Sequence, residues 1–360
     1  MPLSFERRPL VSASAQAAAP IIAVAITFII SIAIFAGSGQ PPLEALRIYF
    51  VEPLQDIWSL HELAVKATPL ILIAVGLSVC FRSNNWNIGA EGQFIAGAIG
   101  ASIVPVLLPN ATGVWVLPAM MVLGAAGGAA WAAIPALLKN RFHTNEILVS
   151  LMLVYVAGHL LDWLVRGPWR NPEGFNFPET RSFQTDAILP EIVSSGDWGG
   201  RANWGLLIAI VSAFVTWVLL SRTMKGFEVG ATGASLRAAA FAGFDPRRTT
   251  MFAFVYAGAL AGLAGMIEVS GAIGQLRPTI SPGYGFTAII VAFLARLHPI
   301  GIIVTGFVLA LTYIGGEAAQ ISLGLSERTS RVLQAVLLAS VLLSDALIRY
   351  RVRWRVPVRA

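Results

Sequence analysis

The chain has 360 residues, 56% of them hydrophobic and 12% charged, with a mean hydropathy of +0.72 and a formal net charge of +6. Those values exclude an ordinary soluble enzyme and fit a polytopic membrane protein. The positive balance does not point to nucleic acid, because the basic residues are spread over segments between apolar runs instead of forming a basic domain with interleaved aromatics.

Unbroken apolar runs of roughly 18 to 25 residues have the length a helix needs to cross hydrocarbon, whereas a barrel shows ten-residue segments of alternating polarity. In chain order the expected spans are residues 17–37, 63–81, 93–108, 114–138, 147–165, 204–220, 251–269, 284–295, 300–314 and 332–347. The fold class is therefore all-α: a single helical bundle of about ten crossings over residues 17–348 of one domain, 1–360. Arg7 and Arg8 precede the first run as in a signal peptide, but the run exceeds a typical h-region and further spans follow, so it is read as a retained helix. Run 284–295 rises only about 18 Å, short of the roughly 30 Å hydrocarbon core, and is read as a half-helix completed by residues 282–285. The single cysteine, Cys80, lies inside an apolar run and reads as a small buried hydrophobe.

With the N-terminus inside, the inner segments hold Arg7, Arg8, Arg82, Lys139, Arg141, Arg222, Lys225, Arg237, Arg247, Arg248, Arg296, Arg349, Arg351, Arg353, Arg355 and Arg359, which is 16 of the 25 basic residues. The positive-inside rule then puts both termini in the cytoplasm, with 349–360 a basic cytoplasmic tail; these charges set topology and touch anionic lipid head groups.

The stretch Asn87-Ile88-Gly89-Ala90-Glu91-Gly92-Gln93 sets a carboxylate, amides and two glycines between two apolar runs, where such groups need protein partners or water. Glu91 has two readings: a cap favoured by the positive end of its own helix, or, with Asn87 and Gln93, a set of hydrogen bonds to neighbouring helices that holds a broken segment lining a solute pathway. Asn145 and Glu146 after Thr144 read either as an N-cap with a first-turn acid or as part of a cytoplasmic gate. Glu268, near the outer end of its run, and Glu317, past the ninth, read as interfacial or as contacts for a polar solute. Gly124 with Gly128, and Gly258 with Gly262, stand four apart and permit close helix crossing.

Two connections exceed mere linkers. The external segment 166–203 carries several prolines and aromatics and reads as a docking surface or, with Trp163, Trp169, Trp198 and Trp204, as an interfacial belt. The cytoplasmic loop 222–250 reads as a short helix between glycine breaks, with Phe227, Phe241 and Phe244 as anchors for a groove in a soluble partner.

Asn87 to Gln93, the segment Leu138 to Ile147, the loop 222–250 and the run from Tyr284 through Gly301 together resemble the permease subunits of ABC importers of the branched-chain amino acid and simple-sugar group. Within that group the chain is most similar to nucleoside or simple-sugar permeases that work with a binding lipoprotein. The resemblance implies a type II importer fold in a bacterial cytoplasmic membrane. It also implies as partners cytoplasmic ATP-binding subunits that carry ATP and Mg, a second, non-identical permease subunit, and a periplasmic or lipoprotein substrate-binding protein. The residues themselves put Asn87, Gly89, Glu91, Gly92, Gln93 and Glu268 in the substrate pathway and its structural motif and Asn145 and Glu146 at the gate, while the resemblance implies that the loop with Gly226, Arg237, Ala239, Ala240 and Gly243 contacts the ATPase. The loop departs from the family pattern at Gly230, Ala234 and Ser235, where an arginine and an acidic or amide pair are usual.

None of the three lysines, Lys66, Lys139 and Lys225, follows a glycine, so the chain holds no P-loop and no cofactor of its own is expected. The four histidines lack metal-ligand spacing, and an enzyme reading has no chemistry to stand on. Alternatives kept open are a secondary transporter driven by an ion gradient and a branched-chain amino acid permease of the same ABC group.

Overall fold

The structure, a computed structural model, describes residues 3–7, 13–193 and 199–354. In chain order the helices are α1 (Ala13–Gly37), α2 (Pro42–Phe50), α3 (Ile57–Arg82), α4 (Ala90–Leu107), α5 (Val116–Phe142), α6 (Glu146–Arg166), α7 (Gly205–Arg222), α8 (Met224–Ala234), α9 (Leu236–Phe241), α10 (Pro246–Ile267), α11 (Tyr284–Leu294), α12 (Pro299–Leu323) and α13 (Glu327–Arg349). Every one of the ten apolar runs corresponds to a helix. Among the described residues seven helices are long and apolar enough to cross a membrane: α3 to α7, α12, and α10 with the π-helical turn that continues it to Ile273. The count of about ten crossings is therefore met only if α1, α11 and α13 are added. Residues Ala25–Gly37 of α1 and the eleven residues of α11 are apolar but shorter helices among the described residues.

The chain divides into two compact units, residues 56–310 and residues 1–55 with 311–360. In the larger unit α3 is the central rod: 94% of its most apolar window is buried, against 22% in α6 and in α7. Its sequence is apolar on all sides, as a helix enclosed by others must be. α10 crosses α3, and α4, α5 and α10 cross one another, at backbone distance, and glycines make that possible. A Cβ on Gly128 would meet Gly262 Cα at 2.6 Å, and one on Gly76 would meet Ala257 Cα at 2.8 Å. Phe254 of α10 packs into the space that Ala132 and Ala136 leave on α5. Cys80 is buried with its thiol toward the Ala253 carbonyl (3.2 Å), within a cluster that also joins Val79, Val229 and Ala257.

In the smaller unit Phe35, Ile48, Tyr49, Ala319 and Leu333 form the core, and the Tyr49 hydroxyl donates to the Thr312 carbonyl at 2.7 Å. Two strands, β1 (Leu3–Arg7) and β2 (Tyr350–Trp354), pair antiparallel. This corrects the reading of 349–360 as a plain tail: Tyr350-Arg351-Val352-Arg353-Trp354 alternates apolar and basic residues, the period of a strand. Arg8, Arg355, Arg359 and Trp198, used above for topology and for the aromatic belt, lie outside the described residues.

The loop 222–250 is two helices instead of one between glycine breaks. Thr223 and Ser235 each cap a helix, with side chains accepting from Gly226 N–H and Ala238 N–H. Gly226, Gly230 and Gly233 lie inside α8; a Cβ on Gly233 would strike the Arg82 carbonyl, so the glycine serves close approach to the end of α3.

Candidate functional site

The site begins where α3 stops. Residues 83 and 84 turn, with Asn84 at φ +56, and 85–89 are non-helical; burial alternates along them, with Ser83, Asn85, Asn87 and Gly89 inward and Asn84 and Trp86 out. Asn87 and Gln93 form a reciprocal amide pair, Asn87 Nδ2 donating to Gln93 Oε1 (3.1 Å) and Gln93 Nε2 to Asn87 Oδ1 (2.9 Å). Asn87 Oδ1 also accepts from Gly89 N–H at 3.2 Å. These amides fold the non-helical segment back onto the start of α4. Neighbouring helices are reached through glycines, since a Cβ on Gly89 would meet the Ser150 carbonyl at 2.6 Å and one on Gly92 would meet Val154 Cα at 3.0 Å.

Glu91 stands in the first turn of α4, yet its carboxylate serves another helix. Gly285 N–H donates to Glu91 Oε2 at 2.6 Å, across 194 residues of sequence. Gly285 lies in the first turn of α11, where Ser281 Oγ accepts from the Gly283 and Tyr284 N–H groups at 3.1 Å each. Gly283 holds φ +104, a left-handed conformation that glycine adopts without strain. The 282–285 stretch therefore starts α11. Two helix N-termini, those of α4 and α11, meet at one buried carboxylate, a favourable charge for both positive ends.

Tyr284 sits edge-on to Phe94, ring centroids 5.9 Å apart, with its hydroxyl toward the Glu268 carboxylate. Glu268 is buried and opens the π-helical turn Glu268–Ile273 that ends α10, a distortion found mostly at functional positions. The charges of Lys66 and Arg201 attract it and that of Glu62 repels it. Arg201 is fixed in turn, Nη1 to Glu62 Oε1 at 3.0 Å and Nη2 to the Ala272 carbonyl at 2.6 Å. Glu91, Ser281, Tyr284, Glu268, Lys66, Arg201 and Glu62 thus form a polar core threaded between α3, α4, α10 and α11. Such groups are costly among apolar helices unless paired, and mark translocation paths. Sequence reading found Glu91 and Glu268 and missed Lys66, Arg201, Glu62 and Tyr284; the available signal was that Lys66 interrupts an apolar run in a chain with only three lysines.

The outer segment is pinned across the end of α10. Thr180, Phe183 and Leu189 N–H groups donate to the carbonyls of Leu276 (3.1 Å), Gly274 (2.8 Å) and Ser270 (3.0 Å). Gln275 Nε2 donates to Glu179 Oε2 at 2.8 Å. Glu317 lies within α12, in the smaller unit.

At the opposite end of the bundle, Asn145 caps α6, accepting from Ile147 and Leu148 N–H at 2.9 and 3.4 Å. Glu146 pairs with Lys139 Nζ at 2.6 Å. Gly226 and Ala239 are buried within the chain, while Arg237, Ala240 and Gly243 are exposed, together with Leu236 and Phe241. Phe227 and Phe244 pack edge to face at 5.8 Å. Burial raises the Glu228 carboxyl, but hydrogen bonds from Lys225 and Thr249 and the Lys225 charge outweigh burial and the opposing Asp245 and hold it below the ordinary range. Among the described residues no group of histidine, cysteine and carboxylate side chains is placed to hold a metal ion.

Membrane-length helices around buried charges, with a helix broken at the core, define a multi-pass solute-translocating membrane protein. The family described as branched-chain amino acid transport system / permease component matches residues 59–342, and the chain belongs to it. The chain is 32% identical to the glucose ABC transporter permease protein TsgB13 of Haloferax volcanii, over 97% of this chain and 93% of that protein. It is 26% identical to the guanosine ABC transporter permease protein NupP of Bacillus subtilis, over 91% and 93%. It is also 26% identical to the nucleoside ABC transporter permease protein NupB of Lactococcus lactis, over 82% of each.

Proposed function

We propose that this chain is the permease subunit of an ATP-driven importer for a neutral polyhydroxyl solute, a simple sugar or a nucleoside, working by alternating access in a cytoplasmic membrane with both termini inside. The observation that carries the reading is the meeting of two helix N-termini at Glu91 beside the Glu268 cluster: a polar, broken-helix core suits a hydroxyl-rich solute that exchanges hydrogen bonds with water for bonds with protein. The relatives named for glucose, guanosine and nucleoside transport support the solute class.

Force comes from outside the chain. Separate cytoplasmic ATP-binding subunits carry ATP and Mg and hydrolyse ATP, a second permease subunit completes the pathway, and an external binding protein delivers the solute. The exposed Leu236, Arg237, Ala240, Phe241 and Gly243 of α9 and its end are the surface that an ATPase groove grips, with Phe241 97% exposed. Gly226 and Ala239 support that segment from inside. The measurement is solute uptake into vesicles bearing the whole transporter. Uptake is expected to stop on ATP removal and in Arg237→Glu, and to persist when ion gradients are collapsed. The reverse pattern would make Glu268 and Lys66 part of an ion-driven secondary transporter.

A further inference from the structure

The polar groups at the inner end of the larger unit form one continuous chain of contacts from α8 to α6. Lys225 Nζ and Thr249 Oγ1 both donate to the Glu228 carboxylate, the former at 2.8 Å. The next residue on α10, Thr250, donates from Oγ1 to Asn85 Oδ1 at 3.1 Å. The same oxygen accepts from Lys139 Nζ at 2.9 Å, and Lys139 Nζ also donates to Glu146 Oε1 at 2.6 Å. Asn85 is 2% exposed, and its Nδ2 is held by Ser83 Oγ at 2.8 Å, so the amide has one orientation that meets all its partners. A parallel tie runs from Asn140 Nδ2 at the end of α5 to the Arg247 carbonyl at 2.9 Å. Gly233 of α8 meanwhile lies directly against the Arg82 carbonyl, where the non-helical segment begins.

Two features separate this arrangement from an ordinary surface staple. It joins α5 and α10 to the 83–89 segment at one buried amide oxygen, and reaches α6 through Lys139 and α8 through Glu228 and Thr249, so displacement of α8 pulls on the α10 turn that holds Asn85. That segment also leads directly to Glu91 and the first turn of α11. We infer that Lys139 is a positioning residue for transport: its ammonium locks the 83–89 segment to α6 in this conformation, and α8 releases the lock by withdrawing Thr250 and Arg82 from Asn85 and its neighbours. The inference rests on the coupling role proposed above for α8 and α9, and it adds the route by which that movement reaches the polar core.

The test uses the complete transporter, with its ATPase and binding protein, in proteoliposomes, reading ATP hydrolysis and uptake of radiolabelled glucose and guanosine in the same vesicles. Lys139→Met, nearly the same length without the charge, is expected to assemble and hydrolyse ATP while uptake per ATP falls about three-fold or more. Lys139→Arg, which keeps a cation at both oxygens, is expected to stay within about three-fold of the unaltered protein. A smaller fall in Lys139→Met, or an equal fall in both variants, overturns the inference. If Lys139→Met does not assemble, Thr250→Val decides: it leaves the ion pair intact and cuts α10 from Asn85, and an unchanged ratio overturns the relay. Uptake by the unaltered transporter that ignores ATP is a different outcome, since it removes the coupling reading itself.

Discussion

Removing the carboxylate of Glu91 should loosen the first turn of α11 without unfolding the bundle. Glu91 is 6% exposed, and its Oε2 lies 2.6 Å from Gly285 N, one of the N–H groups that a helix start leaves without an intrahelical partner. In Glu91→Ala that buried N–H loses its acceptor. A buried donor without an acceptor costs about 1–3 kcal/mol, which is roughly a 5- to 150-fold rise in local opening. Glu91→Gln keeps an acceptor oxygen and loses only the charge at two positive helix ends, about 0.3–1 kcal/mol or roughly two- to five-fold. Native-state hydrogen exchange of peptides covering residues 283–288 reads this directly, with peptides from α3 as an internal control for global stability. The order should be Ala, then Gln, then unaltered protein. Equal exchange at α11 in all three, with α3 unchanged, would show that Ser281 alone caps the helix and that Glu91 has no part in holding the broken core.

Gly128→Ala places a Cβ 2.6 Å from Gly262 Cα and onto the Gly258 carbonyl, backbone on both sides with no rotamer to yield. Overpacking of about 1–3 kcal/mol should lower the thermal midpoint in detergent by roughly 1–4 °C, and an unchanged midpoint would mean that the α5–α10 crossing is wider than described. For Glu228, the folded carboxyl lies below its ordinary value of 4.5, so its stabilising bonds to Lys225 and Thr249 are intact above that pH and are lost only as pH falls through the lower, folded value. The stability advantage over Glu228→Gln should accordingly be constant from pH 7 to about pH 5 and vanish below the ordinary carboxylate range. A difference that did not change with pH would argue against the ionised link.

The Glu91 and Glu228 cases show where sequence reading reaches its limit. Glu91 was visible as a carboxylate in an apolar setting, and its dependence on a helix N-terminus was foreseen; that the helix served is α11, 194 residues away, was not. The same holds for Asn85, whose two donors arrive from residues 54 and 165 positions distant. Loop 222–250 is legible as helical, but sequence alone reads its glycines as breaks, because a glycine that ends a helix and one that admits a neighbouring backbone are the same letter.

Hydropathy and charge are local quantities summed along the chain, so the amino-acid sequence alone determined the class, the ten helical segments, the shortness of α11 and the residues that cannot rest in lipid unaided. Which cation faces Glu268, which helix Glu91 caps and which amide Lys139 holds depend on side chains brought together across tens to hundreds of residues, with no period or spacing to announce them. Those pairings were decided only when glycine-lined crossings of α3, α4, α5 and α10 brought the helices to backbone distance and left each buried charge a single set of partners.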